Sequence, residues 1–234
     1  MEVKQISGFQ SFIESFDFSN LLNIMLTLVA SLLCITLHEI SHGFAANLLG
    51  DATAKNAGRL TLNPLKHIDI TGFIMMLVIQ VGWAKPVPVN YYNLRKPKRD
   101  MAFVALAGPL CNIIITVICL FLYGALYIPF MGSGVGEFIL AVAQRTAYVS
   151  LGFAVFNMLP FPPLDGSKIM FSFLRDEHYE KLMQFESYGT LLLFVLMLTG
   201  SLSYPVAVVR QLIYNEFAVI AQFAGDMVAV LFYI

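Results

Sequence analysis

Charged side chains are scarce in this chain, where Asp, Glu, Lys and Arg make up 12% of the 234 residues. Soluble domains carry about 25% charged residues, so this deficit argues against a water-exposed globular surface. Cysteine is also rare, with three residues, all in apolar runs, which excludes a disulfide scaffold. The net charge of −1 provides no positive excess, so the sequence predicts no nucleic-acid partner.

What replaces the charge is apolar surface. Hydrophobic residues account for 58% of the chain, against roughly 45–50% in soluble domains. The mean hydropathy is +0.75, and twenty Phe and eleven Met add to the apolar character. We therefore expect a multi-pass integral membrane protein in contact with membrane lipid.

Long apolar runs place the membrane segments. The first keeps a helical pattern from Leu21 to about Leu49, which at about 1.5 Å per residue exceeds the ~30 Å hydrocarbon core. Four further runs are long enough, or nearly so, to cross: 101–128, 135–159, 187–203 and 205–232. The sequence predicts an all-α polytopic bundle of about five to six membrane segments.

This pattern also divides the chain into three parts. Residues 1–20 carry apolar side chains on one helical face, which is typical of an interfacial segment. Residues 21–203 form the predicted membrane core, and residues 204–234 a C-terminal membrane helix.

The run 70–82 is too short to cross, because as a helix it covers only about 20 Å. If it dips into the membrane and returns, eleven of the fourteen Lys and Arg residues fall on one side. That distribution is the one the positive-inside rule expects of the cytosolic side. The sequence therefore predicts a short re-entrant or extended β-like element after the first helix.

The first helix contains a candidate metal motif, His38-Glu39-Ile40-Ser41-His42. Two His residues at positions i and i+4 share one helix face, so both imidazoles can reach one Zn²⁺ at about 2.0–2.1 Å. Glu39 lies beside that face and is a candidate general base. Ionisable groups inside a membrane helix are costly, which favours function over a polar patch that pairs with neighbouring helices.

A catalytic zinc usually has three protein ligands and a water, so a third ligand is needed. The candidate is Asp165, which follows a proline-rich stretch, 160–163, that ends the helix predicted over 135–159. Asp165 and the His pair can meet only if an even number of crossings separates them. The re-entrant interpretation of 70–82 gives two, so metal geometry and charge distribution require the same topology. The other interpretation of Asp165 is a capping residue in an ordinary exit turn.

The combination of His38-Glu39-x-x-His42 with Asn157 and Leu164-Asp165-Gly166 resembles the site-2 protease family of intramembrane metalloproteases. Three further stretches resemble its compact prokaryotic members, which lack PDZ and CBS domains: 63–69, 82–90 and 107–112. The resemblance implies one Zn²⁺ per chain, held by His38, His42 and Asp165, with Glu39 as catalytic base. It also implies that Asn157 helps to hold the substrate carbonyl or its oxyanion.

The expected reaction is hydrolysis of peptide bonds in transmembrane segments of membrane-protein substrates, near the cytosolic face of a prokaryotic plasma membrane. The segment Lys85-Pro86-Val87-Pro88-Val89 cannot be helical in its middle. It is either a plain loop or an edge strand beside the site that pairs with the unwound substrate.

The residues alone leave alternatives open. The same ligands would serve a membrane metal transporter or sensor. We interpret Cys34 as a packing residue and Asn112 as a packing residue with some influence on the site. His67 and Asp69 are interpreted as interfacial polar residues rather than as a gating pair.

Overall fold

The computed structural model describes residues 18–79, 83–177, 179 and 186–233. The elements of regular structure within these ranges are helical: α1 (Phe18–Leu48), α2 (Thr53–Asn56), α3 (Ile70–Ile79), α4 (Pro97–Phe130), α5 (Gly134–Asn157), α6 (Asp165–Phe171), α7 (Glu186–Leu198) and α8 (Ser203–Tyr233), with 3-10 turns at Pro64–Lys66 and Tyr91–Asn93. The predicted all-α membrane fold is confirmed. Residues 1–17 of the predicted interfacial segment lie outside the described residues.

Three of the described helices are long and apolar enough to span a bilayer. The spanning lengths are 28 residues in α1, 34 in α4 and 24 in α5. At about 1.5 Å per residue these helices are roughly 36 to 51 Å long, longer than the ~30 Å hydrocarbon core. They coincide with the first three runs predicted from the sequence.

The C-terminal part forms a bent pair of helices. We expected two separate crossings, at 187–203 and 205–232, but α7 has only 13 residues and meets α8 at an angle of 83°. A 13-residue helix covers about 20 Å, which is too short to cross alone. Taken as one broken span, α7 and α8 bring the described membrane segments to four.

The central helix of the bundle is α4, which packs against α1, α5, α6 and α8. Its contact with α8 is a close backbone approach at Gly124, where a Cβ atom would lie 1.9 Å from the carbonyl oxygen of Ala221. Small residues at such crossings let two membrane helices pack closely enough to gain dispersion energy, which lipid contact does not replace. This central helix contacts both elements that carry the predicted metal ligands.

The segment between α1 and α4 returns to its starting point. Ile68 and Ala84 form an antiparallel bridge, and the backbone N–H of Lys85 donates to the carbonyl of His67 at 2.9 Å. The residues that flank the 70–82 run on either side are therefore next to each other. The ten residues of α3 reach only about 15 Å, so this helix does not cross the ~30 Å core. This geometry agrees with the re-entrant prediction, and the β-like element is reduced to one bridge.

Asp51 fastens this returning segment to the end of α1. Its carboxylate is fully buried and accepts hydrogen bonds from the backbone N–H and hydroxyl of Thr53, the backbone N–H of Asn90 and the amide of Asn93. Burial raises the pKa of Asp51, but the hydrogen bonds from these donors lower it by a larger amount, so the net shift of the pKa is downward. Hydrogen bonds to a charged group contribute about 1.5–3 kcal/mol each. Asp51 was not among the residues singled out from the sequence.

Candidate metal centre

The two predicted imidazole ligands lie on one face of α1. The Nε2 atoms of His38 and His42 are 3.0 Å apart, and the two rings meet edge to face. Both side chains are buried, because α4 covers this face of α1. The i, i+4 spacing thus brings two nitrogen atoms to one point inside the bundle.

Asp165 supplies the third group from a different part of the chain. Helix α5 ends at Asn157, the proline-rich stretch follows, and Leu164 is extended before α6 begins at Asp165. Oδ2 of Asp165 lies 3.2 Å from Nε2 of His38 and 3.3 Å from Nε2 of His42. The three predicted ligands are therefore together and buried. Among the residues that the structure describes, they form the group of side chains that could hold a metal ion.

The hydrogen bond of His42 fixes what its metal-facing nitrogen can do. Nδ1 of His42 lies 2.7 Å from the carbonyl oxygen of Val104, which can only accept, so Nδ1 carries the proton. In neutral His42, Nε2 then presents a lone pair to Asp165 Oδ2, another acceptor. Two acceptors this close in a buried site require a positive charge between them, either a second proton on the imidazole or a metal ion.

The distances match the cation that the sequence predicts. In a tetrahedron with metal bonds of about 2.0–2.1 Å, neighbouring ligand atoms are about 3.3–3.4 Å apart. The three separations, 3.0, 3.2 and 3.3 Å, are close to that edge length. Two imidazoles and one carboxylate are also a donor set that catalytic zinc uses. The residues present therefore fit a zinc ion.

The ionisation state of Asp165 agrees with a ligand role. Burial raises the pKa of this carboxyl group, but before a metal binds, a protonated His42 and hydrogen bonds from both imidazoles lower it well below its usual range. The group is therefore a carboxylate at neutral pH, as metal binding requires.

Two residues of α4 shape the centre from the opposite side. Asn112 is fully buried, and its amide lies 3.2 Å from Nδ1 of His38. The Oδ1 atom of this amide has no hydrogen-bond partner among the described residues. If the amide turns by half a rotation, Oδ1 can accept a hydrogen bond from a proton on His38 Nδ1. Such partners orient metal-binding imidazoles. The sequence predicted some influence of Asn112 on the site, and this contact supplies it.

Gly108 was quoted only as part of a motif, but it leaves the room that both imidazoles need. A Cβ atom on Gly108 would lie 2.4 Å from Nε2 of His42 and 2.6 Å from Cε1 of His38. Real Cβ atoms do not approach other heavy atoms this closely. Only glycine fits at this point of α4 without displacing the His pair.

Glu39 is half-buried beside the His pair, where the sequence predicted it. Its Oε2 atom accepts a hydrogen bond of 2.8 Å from the backbone N–H of Val87. Val87 is itself buried, and its side chain fills the space over Gly43, the residue after His42. The candidate base therefore also holds the extended segment 85–89 against α1.

The remaining candidates have other contacts. The amide of Asn157 donates to the carbonyl of Phe153 in its own helix at 3.1 Å, so its oxyanion role stays a prediction. Cys34 is buried with its sulfur 3.9 Å from the carbonyl of Thr146, as a packing residue would be. His67 is fully buried and its Nε2 lies 2.9 Å from the carbonyl of Thr61, which differs from the interfacial placement predicted for it.

Helical spans around a buried His–His–Asp centre define a membrane-embedded metalloprotein. The sequence model of peptidase family M50 matches residues 128–200. Among curated proteins the chain is 39% identical to YwhC of Bacillus subtilis over 187 residues, covering 77% of this chain and 82% of that protein. It is 31% identical to Rip2 of Mycolicibacterium smegmatis over 186 residues, covering 76% and 69% of the two chains.

An archaeal protein, MJ0611 of Methanocaldococcus jannaschii, is 28% identical over 160 residues, covering 68% of this chain and 76% of that protein. Each of these three relatives is named a "putative zinc metalloprotease". No solved structure matches the chain significantly. The chain belongs to peptidase family M50, the site-2 protease family, and is a zinc metalloprotease.

A single added methyl group tests the packing of the centre. We expect Gly108→Ala to weaken zinc binding by about 10- to 100-fold, the usual cost of disturbing groups that orient metal ligands. The measurement is zinc content and competition with a chelator on the purified full chain. Gly134→Ala is the matched control, because a Cβ atom there meets nothing within 4 Å. Equal zinc affinity in both variants would contradict the role given to Gly108.

Proposed function

We propose that the chain cleaves peptide bonds within transmembrane segments of membrane-protein substrates, near the cytosolic face, with one zinc ion per chain. The observation that carries this proposal is the convergence of His38, His42 and Asp165 within 3.3 Å inside a bundle of membrane-length helices. Because these helices lie in the membrane, the site is at a depth that a substrate in the same membrane can reach.

The proposed orientation rests on charge and depth. His38 lies about 27 Å along the span of α1, at about 1.5 Å per residue, so it is near the far edge of the ~30 Å hydrocarbon core. The basic residues of the segment between α1 and α4 follow the end of α1 on that side. The positive-inside rule assigns such an end to the cytosol. We propose a prokaryotic plasma membrane because the relatives come from bacteria and an archaeon. Water for hydrolysis then reaches the centre from the cytosolic side.

The chain's own residues divide the chemistry. Zinc bound at the centre would supply Lewis acidity and an activated water near neutral pH. Glu39 uses Oε2 for Val87, which leaves Oε1 to take a proton from that water and return it to the leaving amine. Asn157, at the last turn of α5, is placed by the family resemblance as donor to the developing oxyanion.

Removal of the base separates hydrolysis from metal binding. We expect Glu39→Gln to keep its zinc and to lose about 10²- to 10⁴-fold in cleavage rate, the usual contribution of a general base. The measurement is cleavage of a reporter transmembrane segment by the purified full chain in lipid vesicles.

Glu137→Gln is the control, since Glu137 is an exposed acid in the first turn of α5. Undiminished cleavage by Glu39→Gln would refute the base assignment. Zinc transport across the vesicle membrane without cleavage by the wild-type chain would instead indicate a metal transporter.

A substrate helix must unwind before its peptide bonds can be attacked, and the segment 85–89 lies against the candidate base. Pro86 and Pro88 have no N–H, and the N–H groups of Lys85 and Val87 are bound to His67 and Glu39. In the described part of the chain, only Val89 keeps an N–H in this segment without an internal partner. We therefore propose that an unwound substrate pairs with carbonyl groups of this segment and with the N–H of Val89.

Val89→Pro removes that one donor while the bond between Val87 and Glu39 stays in place. We expect cleavage to fall about fivefold, because the loss of one net hydrogen bond costs about 1 kcal/mol. The measurement is kcat/KM with zinc content determined in parallel. Val89→Ala, which keeps the N–H, is the matched control. Equal rates for the two variants, with zinc intact, would contradict pairing through Val89.

A further inference from the structure

A groove of about 750 Å³ opens at the beginning of α4, away from the metal ligands. One wall comes from the first turns of α4 and the other from the end of α6 and the residues that follow it. Three basic residues stand on its rim, Lys96, Lys98 and Arg99, and three apolar side chains form its wall, Phe103, Leu106 and Phe173. We call this feature the basic groove.

The positive charge of the basic groove is only partly compensated. Lys98 binds the carboxylate of Asp176 at 2.9 Å and also the carbonyl of Leu174. Arg99 binds the buried carboxylate of Asp100 through Nε and Nη2, which leaves Nη1 to bind a ligand. Lys96 is exposed and forms no ion pair with any described residue. The rim therefore attracts an anion.

Below the rim the surface is apolar and continues along the helix. Phe103 is 52% exposed and Phe173 is 86% exposed, although both are large apolar side chains. Phe103 and Leu106 begin a stripe of exposed apolar residues spaced three or four apart on one face of α4, which continues through Leu110, Ile114 and Ile118. This stripe lies within a membrane-spanning helix and starts directly beneath the basic rim.

An anion-binding rim above an apolar stripe matches one class of ligand. A phosphate monoester or an acidic peptide in water would use the rim but not the stripe, whereas a neutral lipid would use the stripe but not the rim. We propose that the basic groove binds an anionic phospholipid, with its phosphate at Lys96 and Arg99 and an acyl chain along the stripe from Phe103 to Ile118. This inference concerns a second site and does not depend on the proposed proteolysis.

The location gives such a lipid a structural consequence. The walls of the basic groove belong to α4, which carries Gly108 and Asn112, and to α6, which begins with Asp165. A lipid in the groove bridges the two elements that must stay in register for the third metal ligand to meet the His pair. We therefore expect the bound lipid to stabilise the folded chain.

The test uses the purified full chain in detergent, with phosphatidylglycerol or phosphatidylcholine added and retention measured by native mass spectrometry. A cation near a lipid phosphate is worth about 1 kcal/mol, or about fivefold. We expect preferential retention of phosphatidylglycerol, reduced about fivefold in Lys96→Gln and about thirtyfold in Lys96→Gln/Arg99→Gln. The control is Lys55→Gln/Arg175→Gln, which removes one Lys and one Arg at exposed positions outside the groove.

Two further measurements separate the sources of the anion. Phe173→Gln changes an exposed side chain and should weaken retention of phosphatidylglycerol, and soluble glycerol phosphate at equal concentration should not compete with the lipid. Zinc content of each variant verifies folding, and Lys96→Gln alone carries the test if the double variant unfolds.

Equal retention of the two lipids, or equal loss in the variants and the control, would overturn the proposal. Full competition by glycerol phosphate would assign the groove to a soluble phosphate instead. Unchanged lipid retention in Lys96→Gln together with impaired substrate cleavage would assign the groove to the substrate's polar tail. Both of these outcomes also overturn it.

Discussion

The close approach of three acceptor atoms is the constraint on which the structure depends. His38 and His42 from α1 and Asp165 from α6 come within 3.3 Å of one another in a buried site. Because the carbonyl of Val104 holds the proton of His42 on Nδ1, repulsion between these acceptors is relieved only by a second proton on an imidazole or by a metal ion. A zinc ion bound here would satisfy all three ligands at once, which would let the helical bundle tolerate this polar centre. We therefore expect metal binding to stabilise the packing of α1, α4 and α6.

The sequence was sufficient to predict that the three candidate ligands meet, because each left a local signal. His38 and His42 share a helix face by their spacing, and Asp165 follows prolines that end a membrane helix. The re-entrant segment 70–82 was predictable because its length and the distribution of Lys and Arg both exclude a crossing. These signals depend on helix geometry and on the membrane, and neither requires knowledge of the tertiary contacts.

Other parts of the site depend on contacts between distant segments, which a single sequence does not encode locally. In the sequence, Gly108 looks like any glycine in a membrane helix. Its role is visible only in the fold, where a Cβ atom at this position would lie 2.4 Å from an imidazole nitrogen. Asp51 carries no local signal of its role, because it accepts hydrogen bonds from residues about forty positions later. The bend between α7 and α8 was missed because two apolar runs look alike whether they cross separately or form one broken span.

X-ray absorption spectroscopy of the zinc-loaded full chain would show whether these three side chains hold one zinc ion. We expect one zinc per chain with two imidazole nitrogens and two oxygens, one of them from water, at about 2.0–2.2 Å. In Asp165→Ala we expect one oxygen to be lost and the affinity for zinc to fall with it. An unchanged spectrum and affinity in Asp165→Ala, or a sulfur ligand in the wild-type chain, would contradict this ligand set.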